Sequence, residues 1–187
     1  GSFAEECADK YGFTREKQDD FAIASTTRAQ KAINDGSFAW EIAPVTVAGR
    51  KGEVVIDKDE QPLKAQLATI VGHATHAHEP GWFTTAPVGA MQKLFAKTGW
   101  RADQVDFYEI NEAFAVVTMA AMHDLKLPHE KVNVHGGACA LGHPIGCSGA
   151  RILVTLIGAL RKYGGKRGVA SLCIGGGEAT AIALELV

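Results

Sequence analysis

"VDFYEINEAFAVVTMAAMHDL", residues 105–125, is the stretch whose reading decides the fold. Val105 to Ile110 read as a short buried strand and Asn111 to Leu125 as a helix, with no loop between them. Working outward, the same alternation repeats. Upstream, "ATIVGHA" (68–74) reads as a strand and "TAPVGAMQKLFAKTGW" (85–100) as a helix with proline near its first turn. Downstream, "KVNVHGG" (131–137) reads as a short strand, followed by a glycine-rich stretch and a helix from Cys147 to about Tyr163. "GVASLCIGGGEATAIALELV" (168–187) closes the chain as two strands across a triple-glycine turn. This alternation predicts an α/β fold, a layered structure with a mixed, mostly parallel sheet flanked by helices.

The first third has another character. Residues 3–35 read as helical, with Asp35-Gly36 as a stop. "EIAPVTVAG" and "GEVVIDKDE" follow as short strand-like pieces around Gly49-Arg50-Lys51-Gly52. The polarity of this part predicts a surface segment, residues 1–65, covering a main domain of residues 66–187.

Composition sets outer limits. With 187 residues, 47% hydrophobic and 21% charged, the chain suits one ordinary globular core. A formal charge of −2 gives no electrostatic reason to expect nucleic acid or an anionic membrane as partner. No apolar run approaches the ~20 residues of a membrane span and no signal-like segment opens the chain, so a cytoplasmic location is expected. Cys7, Cys139, Cys147 and Cys173 match no zinc spacing and are expected to be reduced thiols. His73, His76 and His78 invite a metal reading. Neighbouring strand positions point to opposite faces, so packing or surface roles are expected there, and no metal.

In layered α/β folds, reactive groups collect where strands end and helices begin. Three such corners carry unusual residues: Asn111-Glu112-Ala113-Phe114, Gly142-His143-Pro144, and Cys173-Ile174-Gly175-Gly176-Gly177. Each has a plain alternative. Asn111 can serve as a helix N-cap, His143 as a packed core imidazole, and Cys173 as a small filler. Together they suggest more. Glycines beside a thiol let backbone amides face a developing oxyanion. A histidine at a helix mouth is held toward the neutral form, able to act as a base toward a thiol or to donate to a carbonyl oxygen. That chemistry is acyl transfer.

"NEAFA", "GGACALGHPIGCSGAR" and "CIGGGEATA" resemble the three C-terminal signature motifs of the thiolases, the acetyl-CoA acetyltransferases and 3-ketoacyl-CoA thiolases. "KYGFTREKQDDFAIAS" and "RKGEVVIDKDE" are similar to the segment covering coenzyme A in that family, so nearly the whole chain is included. The resemblance implies a thiolase-like fold, C-terminal half only, and a reversible Claisen condensation of two acetyl-CoA to acetoacetyl-CoA and CoA. It gives His143 the activation of a nucleophilic cysteine and a share in holding the thioester oxygen. Asn111 would position a water completing that oxyanion site. Cys173 would move a proton at the substrate α-carbon, and the Gly175 amide would belong to a second oxyanion hole. A depressed Cys173 pKa is expected from the neighbouring imidazole and amides. The thioester would be the substrate, with no covalently bound cofactor.

The resemblance also marks two absences. Thiolases carry the acyl-accepting cysteine in an N-terminal half that no stretch here resembles, and none of the four cysteines matches that role. The join of "DEQPLKA" to "QLATIVGHA", near residue 65, is abrupt where relatives have an insert, so the C-terminal half is expected to lack its first strand. The lone chain is therefore expected to be inactive. Its partners would be an acyl-CoA and either further copies of itself or the missing half. A degradative 3-ketoacyl-CoA thiolase of longer chain specificity and a non-catalytic thiolase-like assembly subunit are the alternative readings.

Overall fold

A computed structural model describes residues 2–41, 43, 45–49, 52–56 and 68–186. The abrupt join, and with it the expected missing strand, lies outside the described residues.

The order of elements follows the alternation. Helices α1 (Ser2–Tyr11) and α2 (Arg15–Asn34) precede a hairpin of β1 (Val45–Gly49) and β2 (Gly52–Ile56). Then come β3 (Thr69–Ala77), α3 (Ala86–Thr98), β4 (Phe107–Ile110), α4 (Ala115–Leu125), α5 (Ala138–Leu141), α6 (Ile145–Tyr163), β5 (Arg167–Ile174) and β6 (Glu178–Glu185). Strands β3, β6, β5 and β4 form one sheet in that spatial order. Three of them run one way. Strand β6 is reversed between β3 and β5, so only β4 and β5 form a parallel ladder among the four.

The two faces of the sheet are separated by the period of two along each strand. On one face, Val169, Ala181 and Ala183 pack with Ala90, Met91 and Leu94 of α3, all of them buried. On the other, Ala170 and Leu184 pack with Ile152, Leu156 and Leu160 of α6. The spacing of Ser148, Ile152, Thr155, Leu156, Ala159 and Leu160 makes one stripe along α6, while Arg161 and Lys162 stay outside it. Sheet and helices thus share cores that need residues far apart in sequence.

Two elements differ from the sequence reading. Helix α4 starts at Ala115 rather than Asn111, with Phe114 as N-cap in extended geometry. Residues 111–114 are therefore a linker that holds side chains and not a first helical turn. "KVNVHGG" forms no strand beyond a single parallel bridge between Val132 and Tyr108. Its pairing stops because Asn133 turns into the left-handed region (φ 47°) and uses its side chain instead. Asn133 Oδ1 accepts from Ile110 N at 2.8 Å, and Nδ2 donates to Ile110 O at 2.8 Å. One amide side chain thereby replaces a continuing ladder, as asparagine in this conformation can.

The N-terminal helices lie against this frame. Ala4, Cys7 and Ala8 of α1 bury against Val116 and Ala120 of α4. Past α2, the Trp40 indole fills the groove over Gly158 of α6, where any Cβ would overlap it.

Candidate active site

The parallel ladder of β4 and β5 places its two strand ends side by side. Just past the end of β4, Asn111 N donates to Ser171 O of β5 at 2.9 Å. Asn111 is fully buried, so its position is fixed by the ladder and not by a helix cap. Its amide Nδ2 lies 3.4 Å from Nδ1 of His143, which arrives from the turn between α5 and α6. The two residues are 32 positions apart in sequence and touch in the fold. His143 itself is exposed. The imidazole is therefore held on its inner nitrogen and open on the other side.

Cys173 is buried near the end of β5, two residues beyond Ser171 and so about 7 Å further along the strand. Among the described residues it makes no side-chain hydrogen bond to His143 or Asn111. Gly175 follows in the exposed turn, with open space where a side chain would project. The expected depression of the Cys173 pKa is absent. Burial pushes the thiol up to about 11, and a backbone hydrogen bond only partly offsets this. The physical reason is that a thiolate there would lose water without gaining a cation.

Sequence reasoning missed the strut beneath these residues. Glu112, next to Asn111, is buried and its carboxyl group accepts from Ser25 Oγ (2.9 Å), Asn133 Nδ2 (2.8 Å) and Cys139 N (2.9 Å). Ser25 in turn accepts from Gly137 N at 3.0 Å. Helix α2, the Asn111 linker and the glycine-rich loop are thus tied through one side chain. Two glycines of that loop are explained here. A Cβ at Gly137 would run into the Glu112 carboxyl, and one at Gly136 (φ 79°) into the backbone of α2. They make room for protein, not for a thioester. The signal in the sequence was an acidic residue set among apolar neighbours in "NEAFA", where charge needs compensation.

A second buried carboxyl group lies behind the site. Glu109 of β4 accepts from Arg151 of α6 at 2.7 Å, and burial raises its pKa to about 8 against that pull. Glu41 accepts from Thr155 Oγ1 at 3.1 Å, and burial raises it to about 7, with Thr155 and Arg151 opposing.

The remaining cysteines separate by surroundings. Cys7 is buried and raised by that burial. Cys139 and Cys147 are both exposed residues, and partial desolvation of the Cys139 thiol beside Glu112 pushes it up to about 12. The rings of His76, in β3, and His78, just past its end, lie with centroids 5.0 Å apart, while His73, three positions before His76, is on the other face of the strand. Among the described residues, no group of three or more His, Cys, Asp or Glu is arranged to hold a metal ion. No described helix is long and apolar enough to cross a membrane.

Comparison with known proteins identifies the family of the chain. The family model "Thiolase, C-terminal domain" matches residues 64–186, and "Thiolase, N-terminal domain" matches residues 1–87. The chain belongs to the thiolase family. Acetyl-CoA acetyltransferase 2 of Arabidopsis thaliana is 43% identical over 237 aligned positions, which cover 100% of this chain and 59% of the relative. A crystal structure of the Bacillus anthracis acetyl-CoA acetyltransferase superimposes with a TM-score of 0.91 at 36% identity, covering 99% of this chain and 59% of that one. Human mitochondrial 3-ketoacyl-CoA thiolase gives 0.90 at 32%, with the same coverage. The chain thus spans about 59% of the relatives it matches. Since 237 positions align with 187 residues, 50 positions of the Arabidopsis relative face a gap within that span. Residues 1–87, which include the expected covering segment 1–65, match the model of the N-terminal domain, although the sequence reading found no stretch resembling the N-terminal half.

Proposed function

We propose that this chain supplies the acid–base and oxyanion part of an acetyl-CoA C-acetyltransferase, which joins two acetyl-CoA into acetoacetyl-CoA and CoA reversibly. The observation that carries the reading is the Asn111–His143 contact at 3.4 Å, formed beside the strand end that bears Cys173. His143 would accept the proton of a nucleophilic thiol and then hold the thioester oxygen together with a water on Asn111. Cys173 would move the proton at the α-carbon. A thiol with a pKa near 11 is protonated at neutral pH, which suits the donor stage first. Acyl transfer needs a nucleophile that stays covalent through the first half of the reaction. The four thiols here fall outside that role: Cys7 and Cys173 are buried, Cys139 is pushed up to about 12, and Cys147 has no base in hydrogen-bonding contact among the described residues.

These 187 residues alone are thus expected to show no turnover, and to gain it on association with a segment carrying the nucleophilic cysteine. The test is acetoacetyl-CoA thiolysis, measured for the chain alone and after mixing with the complementary N-terminal part of a relative. Activity in the mixture that disappears in His143→Ala supports the reading. Turnover by the isolated chain, or a stable complex that leaves acetoacetyl-CoA intact, overturns it.

A further inference from the structure

We propose that Ser148 is the positioning residue of His143, fixing which ring nitrogen carries the proton. The inference rests on the catalytic role given to His143 above and extends it to an atom. Ser148 lies on the first turns of α6, 2% exposed, with its hydroxyl 2.7 Å from His143 Nδ1. The same hydroxyl donates to Pro144 O at 3.1 Å, across the turn that opens the helix. A serine hydroxyl has one proton to give. With that proton directed to Pro144 O, the hydrogen between the hydroxyl and the ring belongs to Nδ1. The lone pair is then left on Nε2.

Both inner neighbours of the ring, Ser148 Oγ at 2.7 Å and the Asn111 side-chain amide at 3.4 Å, face Nδ1. With the proton on Nδ1 the amide must present its oxygen there, and that oxygen has no other partner among the described residues; the amide nitrogen could only donate. Nε2 is the ring nitrogen left for a reacting group on the exposed side of the residue. A base must present an unprotonated nitrogen to the proton it takes, so the tautomer set inside the fold decides whether His143 can act. Serine serves where other bases are oriented by a carboxylate. A neutral hydroxyl orients the ring without adding negative charge beside a site that must also hold an oxyanion. The local sequence supplies the geometry, because residues five apart across a helix start meet when Pro144 caps the first turn.

The experiment is long-range nitrogen–proton NMR of the imidazoles in the 15N-labelled chain, at a pH where His143 is neutral. It needs no turnover, so its outcome is independent of the thiolysis assay. Wild type is expected to show His143 protonated on Nδ1. In Ser148→Ala the ratio of tautomers is expected to move toward Nε2–H by about five- to tenfold, the worth of one ordinary hydrogen bond. Ser148→Thr keeps a hydroxyl and is expected to keep the wild-type tautomer. A wild-type ring protonated on Nε2 overturns the proposal, as does an unchanged tautomer in the alanine variant. Loss of the tautomer in both variants shows that packing and not the hydroxyl sets the ring, and overturns it equally.

Discussion

The sheet with α3 and α6 and the helical N-terminal segment are held by different forces. The sheet region shares apolar cores on both faces, with Leu94, Leu156, Leu160 and Val169 all at 0% exposure. The N-terminal segment has smaller, separate apolar contacts, α1 on α4, Phe21 on the His129 ring and Trp40 on α6, and adds to them a set of polar ties. Ser25 reaches Glu112, and Arg28 donates to the carbonyls of Val132 (2.8 Å) and His129 (3.2 Å). Tyr11 donates to Asp124 at 2.7 Å, Lys162 pairs with Asp35 at 2.8 Å, and Glu41 accepts from Thr155. Apolar burial is non-directional and tolerates small shifts, whereas polar ties fail one by one. The comparison teaches that the site belongs to both regions. Asn111 and Cys173 stand at strand ends of the sheet, while the loop carrying His143 is braced by α2 through Glu112.

The largest test cuts that brace. Glu112→Ala leaves Ser25 Oγ, Asn133 Nδ2 and Cys139 N without their acceptor, and is expected to cost about 3 kcal/mol of unfolding free energy in urea. Hydrogen exchange should rise in α2 and the glycine-rich loop before it rises in β5. Uniform acceleration across both regions would show one cooperative unit and remove the contrast.

Two buried thiols report on the regions separately. Cys7 sits on the inner face of α1 and Cys173 near the end of β5, both raised by burial. Timed alkylation near pH 8, read by mass spectrometry, should label exposed Cys147 first, then Cys7 by local opening of the N-terminal segment. Cys173 should follow last. With its pKa about 11, Cys173 is expected to react at least about 100-fold more slowly than an ordinary exposed thiol. Equal rates for Cys7 and Cys173 would break the comparison.

A smaller effect comes from Glu41, which belongs to the N-terminal segment but is buried against α6. Its folded pKa of about 7 exceeds the 4.5 it starts from, so the folded state holds the extra proton between those values. The stability tied to that proton is complete below about pH 4.5 and is lost as pH rises through 7. Glu41→Gln should flatten the fall in stability between pH 5 and 8 by about 1–3 kcal/mol, as read from urea midpoints across that range. A variant with the wild-type slope would place the titration elsewhere.

The smallest change is expected at the surface tie. Lys162 and Ser37 hold the Asp35 carboxyl down to about 2, so its contribution is present at neutral pH and lost as pH falls through that value. Both partners of the pair are about one-third exposed. Asp35→Asn should lower Tm less than any other substitution above, and high salt should shrink the difference further.

How much of this was legible can be read from particular residues. The junctions at Asn111, His143 and Cys173 stood out because glycine, histidine and thiol are unusual together where elements end, although only Asn111 lies between a strand and a helix. Asn111 as a helix cap was equally legible from sequence, and it does not occur, because Asn133 and Ser171 capture the linker before the helix starts. Glu112 gave only the faint sign of a charge among apolar residues. Ser148 gave none, since a serine in the first turns of a helix is common.

By itself the sequence determined the succession of strands and helices and the identity of the reactive side chains. Both depend on local patterns of period two and 3.6 and on residue chemistry. Only the tertiary structure decided the reversal of β6 within the sheet, the Glu112 brace across 87 residues, the raised thiol at Cys173 and the contacts of Ser148 and Asn111 with the His143 ring. These follow from burial and from contacts between distant segments, which exist only when the chain has closed on itself.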